Sequence, residues 1–89
     1  MKAIITVIGK DTVGILAKVS AACAADNANI VEVTQSVLQD MFAMVMLIEF
    51  NEDKIDFEKL RTDLDAVGEA NATKIHVMHE DIFNSMHRI

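Results

Sequence analysis

Proline is absent from these 89 residues and glycine occurs only three times. With no Pro/Gly-rich or low-complexity tract, the chain has no stretch that reads as a linker, and it is expected to form one compact unit. A single cysteine, Cys23, cannot make an internal disulfide, which fits a reducing compartment. Aromatic residues make up 4% of the chain, and Phe42 and Phe50 are the only ones on segments that read as strands. Single-stranded RNA recognition by a sheet needs stacked aromatics there, so that function is excluded. Basic residues are also scarce: eight Lys and Arg face fourteen Asp and Glu, a formal charge of −6. Phosphate backbones and acidic membrane surfaces need clustered cations, so neither nucleic acid nor membrane is an expected partner.

No apolar run is long enough to span a bilayer. The opening "MKAIITVIGKDT" resembles a signal sequence for a few residues, until Gly9 and Asp11 interrupt it and no small-residue cleavage site follows. The expected location is the cytoplasm.

What the chain does have is apolar periodicity, with 52% hydrophobic residues. Residues 2–8, "KAIITVI", are apolar on both faces, as a central strand requires. From Val13 to about Ala25, Ile15, Leu16, Val19, Ala22 and Cys23 share one helical face, and Asp26, Asn27 and Asn29 end it. In residues 30–38, Glu32, Thr34 and Ser36 alternate with Val31, Val33 and Val37, a half-exposed strand. Gln39 and Asp40 connect it to "MFAMVMLIEF", a second strand apolar on both faces. A second helix from about Asp53 carries Phe57, Leu60, Leu64 and Val67 on one stripe. Its end is placed near Asn71, in a left-handed cap, rather than at Gly68. "TKIHVMH" is the last strand. The β-α-β-β-α-β order predicts a ferredoxin-like α+β sandwich: a four-stranded antiparallel sheet with two helices on one face. The core covers about residues 3–79, and the tail from about residue 80 to 89 places Ile82, Phe83, Met86 and Ile89 on one helical face with something to bury.

Many activities share this framework, so function rests on particular residues. Acyl-phosphate hydrolysis would need a cationic cradle in the first turn, where Lys10 stands beside Asp11 and no Arg is present. A metal would have to be held by His76, His79, Glu80 and His87. His79 and His87 are eight residues apart, about 12 Å along a helix, and no HxH, HxxxH or CxxC spacing occurs, so no metal is expected within one chain. Cys23 lies on the apolar helical stripe without a cationic neighbour, as a packed thiol does. Met41, Met44 and Met46 belong to the core or, on an uncovered sheet face, to an adaptable contact surface.

The remaining feature is "GKDTVGIL", Gly9 to Leu16, where the first strand turns into the first helix. Asp11 or Thr12 can cap that helix, and Gly14 allows close approach to its first turn. The free N–H groups there suit a carboxylate, and Asp11 suits an ammonium group. Together these describe a free amino acid, although the same residues also serve a purely structural strand-to-helix turn. This stretch, with "NANI" entering the second strand, resembles the ACT domain, whose corresponding turn often reads Asp-Arg-Pro-Gly-Leu-Leu. The ending "HEDIFNSMHRI" is similar to that of short stand-alone prokaryotic ACT proteins. The resemblance spans about residues 3–79 and implies a dimer that binds an amino acid or similar effector and regulates an enzyme; the glycine-cleavage repressor is a relative of similar type. By position it implies ligand contact at Asp11, Thr12, Val13, Gly14, Ile15, Leu16, Asn29 and Ile30, with Val13 standing where the family often has Pro. It implies no cofactor. With no catalytic domain attached, regulation would act in trans on a partner that the sequence does not name.

Two functions follow as expectations. One is a non-enzymatic, dimeric sensor of an amino-acid-like metabolite. The other is an assembly module that docks on a protein through its sheet or tail with the turn empty.

Overall fold

β-branched and apolar residues dominate Lys2–Lys10, which forms strand β1. The chain continues through α1 (Ile15–Ala25), β2 (Asn29–Leu38), β3 (Met41–Glu49), α2 (Phe57–Ala70) and β4 (Thr73–His79). The structure is a computed structural model that describes residues 2–10, 14–51 and 56–80; the predicted tail from Asp81 onward lies outside them. The strands lie in the order β2-β3-β1-β4, with every neighbouring pair antiparallel. The two interior strands, β1 and β3, are the two whose sequences are apolar on both faces.

Register sets the core. Ala3, Ile5 and Val7 of β1 stand opposite Ile48, Met46 and Met44 of β3, and Ile5 and Val7 also face Val77 and Ile75 of β4. All of these side chains are buried against Ile15, Val19 and Cys23 of α1 and Leu60 and Leu64 of α2. Each large apolar side chain so buried is worth about 1.5–3 kcal/mol relative to exposure. The methionines divide by strand parity: Met44 and Met46 are core, whereas Met41 is exposed on the face away from the helices.

The helices run antiparallel and are tied at both ends. Lys18 Nζ donates to Asn71 Oδ1 at 2.6 Å, joining the start of α1 to the end of α2. Lys59 Nζ meets Asp26 Oδ1 at 2.7 Å, joining the start of α2 to the end of α1, and also reaches Asp63 Oδ2 at 2.9 Å.

Two helix starts, one helix cap and one strand pairing differ from the sequence expectation, each for a local reason. Helix α1 starts at Ile15 rather than Val13, because Gly14 takes a left-handed conformation (φ 77°, ψ 9°) that a right-handed helix does not admit. Helix α2 starts at Phe57, capped by Asp56, whose side chain accepts from the N–H groups of Glu58 and Lys59; the expected start at Asp53 lies outside the described residues. At its other end Asn71 is not left-handed (φ −120°). Its amide donates to the Val67 carbonyl at 2.7 Å, and the positive φ falls on Ala72. In β2 the pairing shifts between Ile30 and Glu32, a bulge that leaves Val31 out of the ladder. Ile30 and Val33 therefore share the covered face and Val31 is turned out of their row, whereas Val37 keeps the face of Val33 by register but is exposed.

Candidate functional site

The predicted turn joins the end of β1 to the start of α1. Of its residues, Asp11, Thr12 and Val13 lie outside the described set. Gly14 is exposed, and a Cβ built on it meets no atom within 4 Å. Its carbonyl accepts from Lys18 N at 3.1 Å, the first helical bond. The N–H groups of Ile15, Leu16 and Ala17 precede that bond and have no acceptor inside the helix. Gly14 has no side chain to supply one, and the first turn of α1 carries no acidic residue. An anionic group placed there would meet donors and the positive end of the helix dipole. Lys10 borders the turn and its Nζ lies 3.7 Å from Asp40 Oδ2 of the β2–β3 connection. The side chains of Ile15 and Leu16 do not share in this: Ile15 is buried in the core and Leu16 packs against it, so both offer only backbone.

Asn29 and Ile30 lie at the other end of the sheet. Asn29 stands opposite Glu49, which stands opposite Lys2 at the beginning of β1, whereas the turn follows Lys10. Eight residues of strand separate the two ends, roughly 26 Å. One chain therefore does not bring Asn29 to the turn. Asn29 is exposed, and Ile30 is half-buried against the core.

The other candidates resolve by face and burial. Alternation along β4 puts His76 on the outer face and His79 on the covered face, where its ring centroid is 6.3 Å from that of Phe57. Among the described residues, no three His, Cys, Asp or Glu side chains are grouped to hold a metal ion. Cys23 is fully buried, and burial, with Asp26 adding to it, pushes its thiol from an ordinary 9.0 up to about 11. It stays protonated at neutral pH and is not poised for nucleophilic attack.

Two features escaped the sequence reading. Asp26, which ends α1 in a turn as expected, is also a buried carboxylate: one oxygen is held by Lys59 and the other has no hydrogen-bond partner among the described residues. A concave groove of about 490 Å³ runs between α2 and the free edge of β4, with Arg61, Asp65, Glu69, Lys74 and His76 along it. Charges of both signs line it, and they come from two segments whose adjacency only the fold creates. The helix start at Gly14 has no such enclosure. It remains the better candidate, because there backbone donors converge without acceptors among the described residues.

The family model of the ACT domain matches residues 2–78. The chain is 41% identical over 88 residues to a UPF0237 protein of Methanocaldococcus jannaschii, covering 99% of this chain and 98% of that one. It is 45% identical over 89 residues to a UPF0237 protein of Clostridium acetobutylicum, covering all of both. Among solved structures, an ACT domain protein from Streptococcus pneumoniae superposes with a TM-score of 0.82 at 40% identity over 98% of each chain. The regulatory subunit of aspartate kinase from Thermus thermophilus, in its ligand-free form, shares the fold with a TM-score of 0.66 at 23% identity, over 85% of this chain and 49% of that one.

Proposed function

The chain belongs to the ACT-domain family, and from that premise we propose that it is a non-enzymatic sensor that binds an amino-acid-like effector at the start of α1. ACT domains are typically regulatory ligand-binding modules, and the observation that carries the reading here is the N-terminus of α1, which no side chain among the described residues caps. Left-handed Gly14 precedes it, and a Cβ built on that residue would point into open space. In this reading the effector carboxylate accepts from the N–H groups at the helix start, and Asp11 holds the amine.

The separation of Asn29 from the turn supports a homodimer as the working unit. β2 is an edge strand, and Leu38, at its far end, lies in register with Met41 and Lys10, next to the turn. Antiparallel pairing of two β2 edges about a two-fold axis carries the partner subunit's Asn29 to the end of the sheet where this chain's turn lies. The site is then completed across the interface, and the module acts in trans on a separate cytoplasmic protein. One observation favours a second reading, assembly without ligand: Ile8, Met41 and Val45 are exposed on the outer sheet face.

A thermal-shift screen of free amino acids and related metabolites, followed by calorimetric titration of any hit, tests the proposal. Gly14→Asn keeps a residue that tolerates positive φ but puts a side chain over the helix start, and it should weaken binding by about tenfold or more. Equal affinity in wild type and variant would place the ligand elsewhere, and a screen without hits would favour assembly.

A further inference from the structure

The groove beside β4 follows the edge of the strand rather than one of its faces. Its walls include Thr73, Lys74, Ile75, His76 and Val77 in succession. Thr73, Ile75 and Val77 are buried toward the helices, whereas Lys74 and His76 are exposed on the outer face. Residues of both parities line one groove only where it runs along the backbone edge. β4 is a terminal strand, and no element among the described residues pairs with its free side. It is also regular: its ladder with β1 runs from Thr73 opposite Gly9 to His79 opposite Ala3 without a bulge, whereas β2, the other edge, carries one. An unbulged edge offers a row of backbone N–H and C=O groups to an added strand.

Side-chain chemistry narrows what that strand would be. Arg61, Asp65 and Glu69, at successive turns of α2, form the other wall. Arg61 is drawn back, with Glu58 3.5 Å away and the Phe57 ring 5.2 Å from its guanidinium. Asp65, Glu69 and, across the strand, Lys74 make no ion pair among the described residues. Asp65 and Glu69 are four residues apart, a rise of about 6 Å, and side chains i and i+2 of an extended chain are about 6.8 Å apart. The residue between those two points the opposite way, to the face of Lys74.

We propose that the free edge of β4 takes up an extended segment of a partner protein in which two basic residues flank an acidic one. The basic pair meets Asp65 and Glu69, and the acidic side chain meets Lys74. A second copy of this chain suits the groove less, since it brings another Asp65 and Glu69 to carboxylates that lack a cation. The formal charge of −6 favours the approach of a basic segment. The proposal stands whether or not the start of α1 holds an effector.

The probe is the blocked heptapeptide acetyl-Thr-Val-Lys-Glu-Lys-Val-Thr-amide, as long as β4, titrated into the full-length protein and followed by amide chemical shifts. Shift changes should concentrate in Thr73–Val77 and in α2 from Arg61 to Glu69. Affinity should exceed that of the peptide with Glu-Lys-Glu at its centre by about tenfold or more. Asp65→Lys with Glu69→Lys, at exposed helix positions that lysine suits, should invert the preference. Backbone pairing is read from the peptide itself. N-methylation of every second nitrogen should abolish binding in one register and leave it in the other, because only alternate N–H groups of an added strand face the edge. Equal affinity for the two peptides, equal effects of the two methylation patterns, shift changes away from the groove, or no binding at millimolar peptide would each overturn the proposal. So would the same shift changes on concentrating the protein alone, which would give the edge to a second copy.

Discussion

Thr73 is wedged between two glycines, and the spacing makes their substitution informative. A Cβ on Gly9 would stand 2.5 Å from Thr73 Cγ2, and a Cβ on Gly68 would stand 2.9 Å from the Thr73 carbonyl oxygen. For Gly68, helix propensity favours alanine by about 0.8–1 kcal/mol, but overpacking typically costs about 1–3 kcal/mol. The collision is with backbone, so overpacking wins and Gly68→Ala should be destabilising in urea unfolding. Gly9→Ala should be destabilising as well. It should be partly rescued by Thr73→Ser, which removes the colliding methyl, whereas Gly68→Ala should gain nothing from that change. A double-mutant cycle for each pair checks both statements. Cys23 supplies a pH test. Its folded-state pKa of about 11 lies above the ordinary 9.0, so the folded protein keeps the proton after the unfolded chain has released it. The stability this contributes is fully present below about pH 9 and is lost as pH rises toward 11. Urea midpoints measured between pH 8 and 10.5 should fall more steeply for wild type than for Cys23→Ala.

Among the elements, the two helices depend on their end-to-end ties. The Asp26 carboxylate is almost wholly buried and its charge is met by the Lys59 ammonium, which Asp63 also holds. The hydrogen bonds to Asp26 and Asp63 raise the Lys59 pKa, and the bond to Lys59 lowers that of Asp63. Removing the lysine strands a charge in a poor solvent, whereas removing exposed Asp63 only returns one partner to water. Lys59→Met should therefore be clearly more destabilising than Asp63→Ala. Adding Asp26→Asn to Lys59→Met should recover part of the loss, because the stranded group is then neutral. Thermal melts of the four proteins at pH 7 test this order. Helix α1 shows the reverse situation: among the described residues no side chain caps its N-terminus, and unpaired N–H groups at a helix start are where a ligand can contribute.

At the scale of the molecule, the β2 edge carries exposed Val31 and Val37 and no element among the described residues pairs with its free side. Long open edges invite pairing, and lysines placed on them oppose it. If this edge forms the proposed dimer, light scattering at micromolar concentration should report a dimer for wild type, and Val31→Lys with Val37→Lys should give a monomer. The double variant should also lose affinity for any effector found, since the site would lose the partner subunit's Asn29. A wild-type monomer would remove this arrangement.

Element order, strand interiors and helix stripes were legible in the sequence because each follows from local periodicity. Leu60, Leu64, Val19 and Cys23 announce a buried face by spacing alone, and β1 and β3 announce interior strands by being apolar on both faces. The place where β1 gives way to α1 was legible for the same local reason. What the sequence could not determine are relations between distant segments. The left-handed Gly14 moved the helix start, and the β2 bulge turned Val31 out of the ladder. Burial between α1 and α2 made Asp26 a buried carboxylate as well as the residue that ends α1, and the β1–β4 register together with the packing of α2 on β4 closed two glycines on Thr73. Register also put Asn29 and the turn at opposite ends of the sheet. Proximity of residues far apart in the chain is fixed by which strands pair and in what register, and no local pattern encodes that.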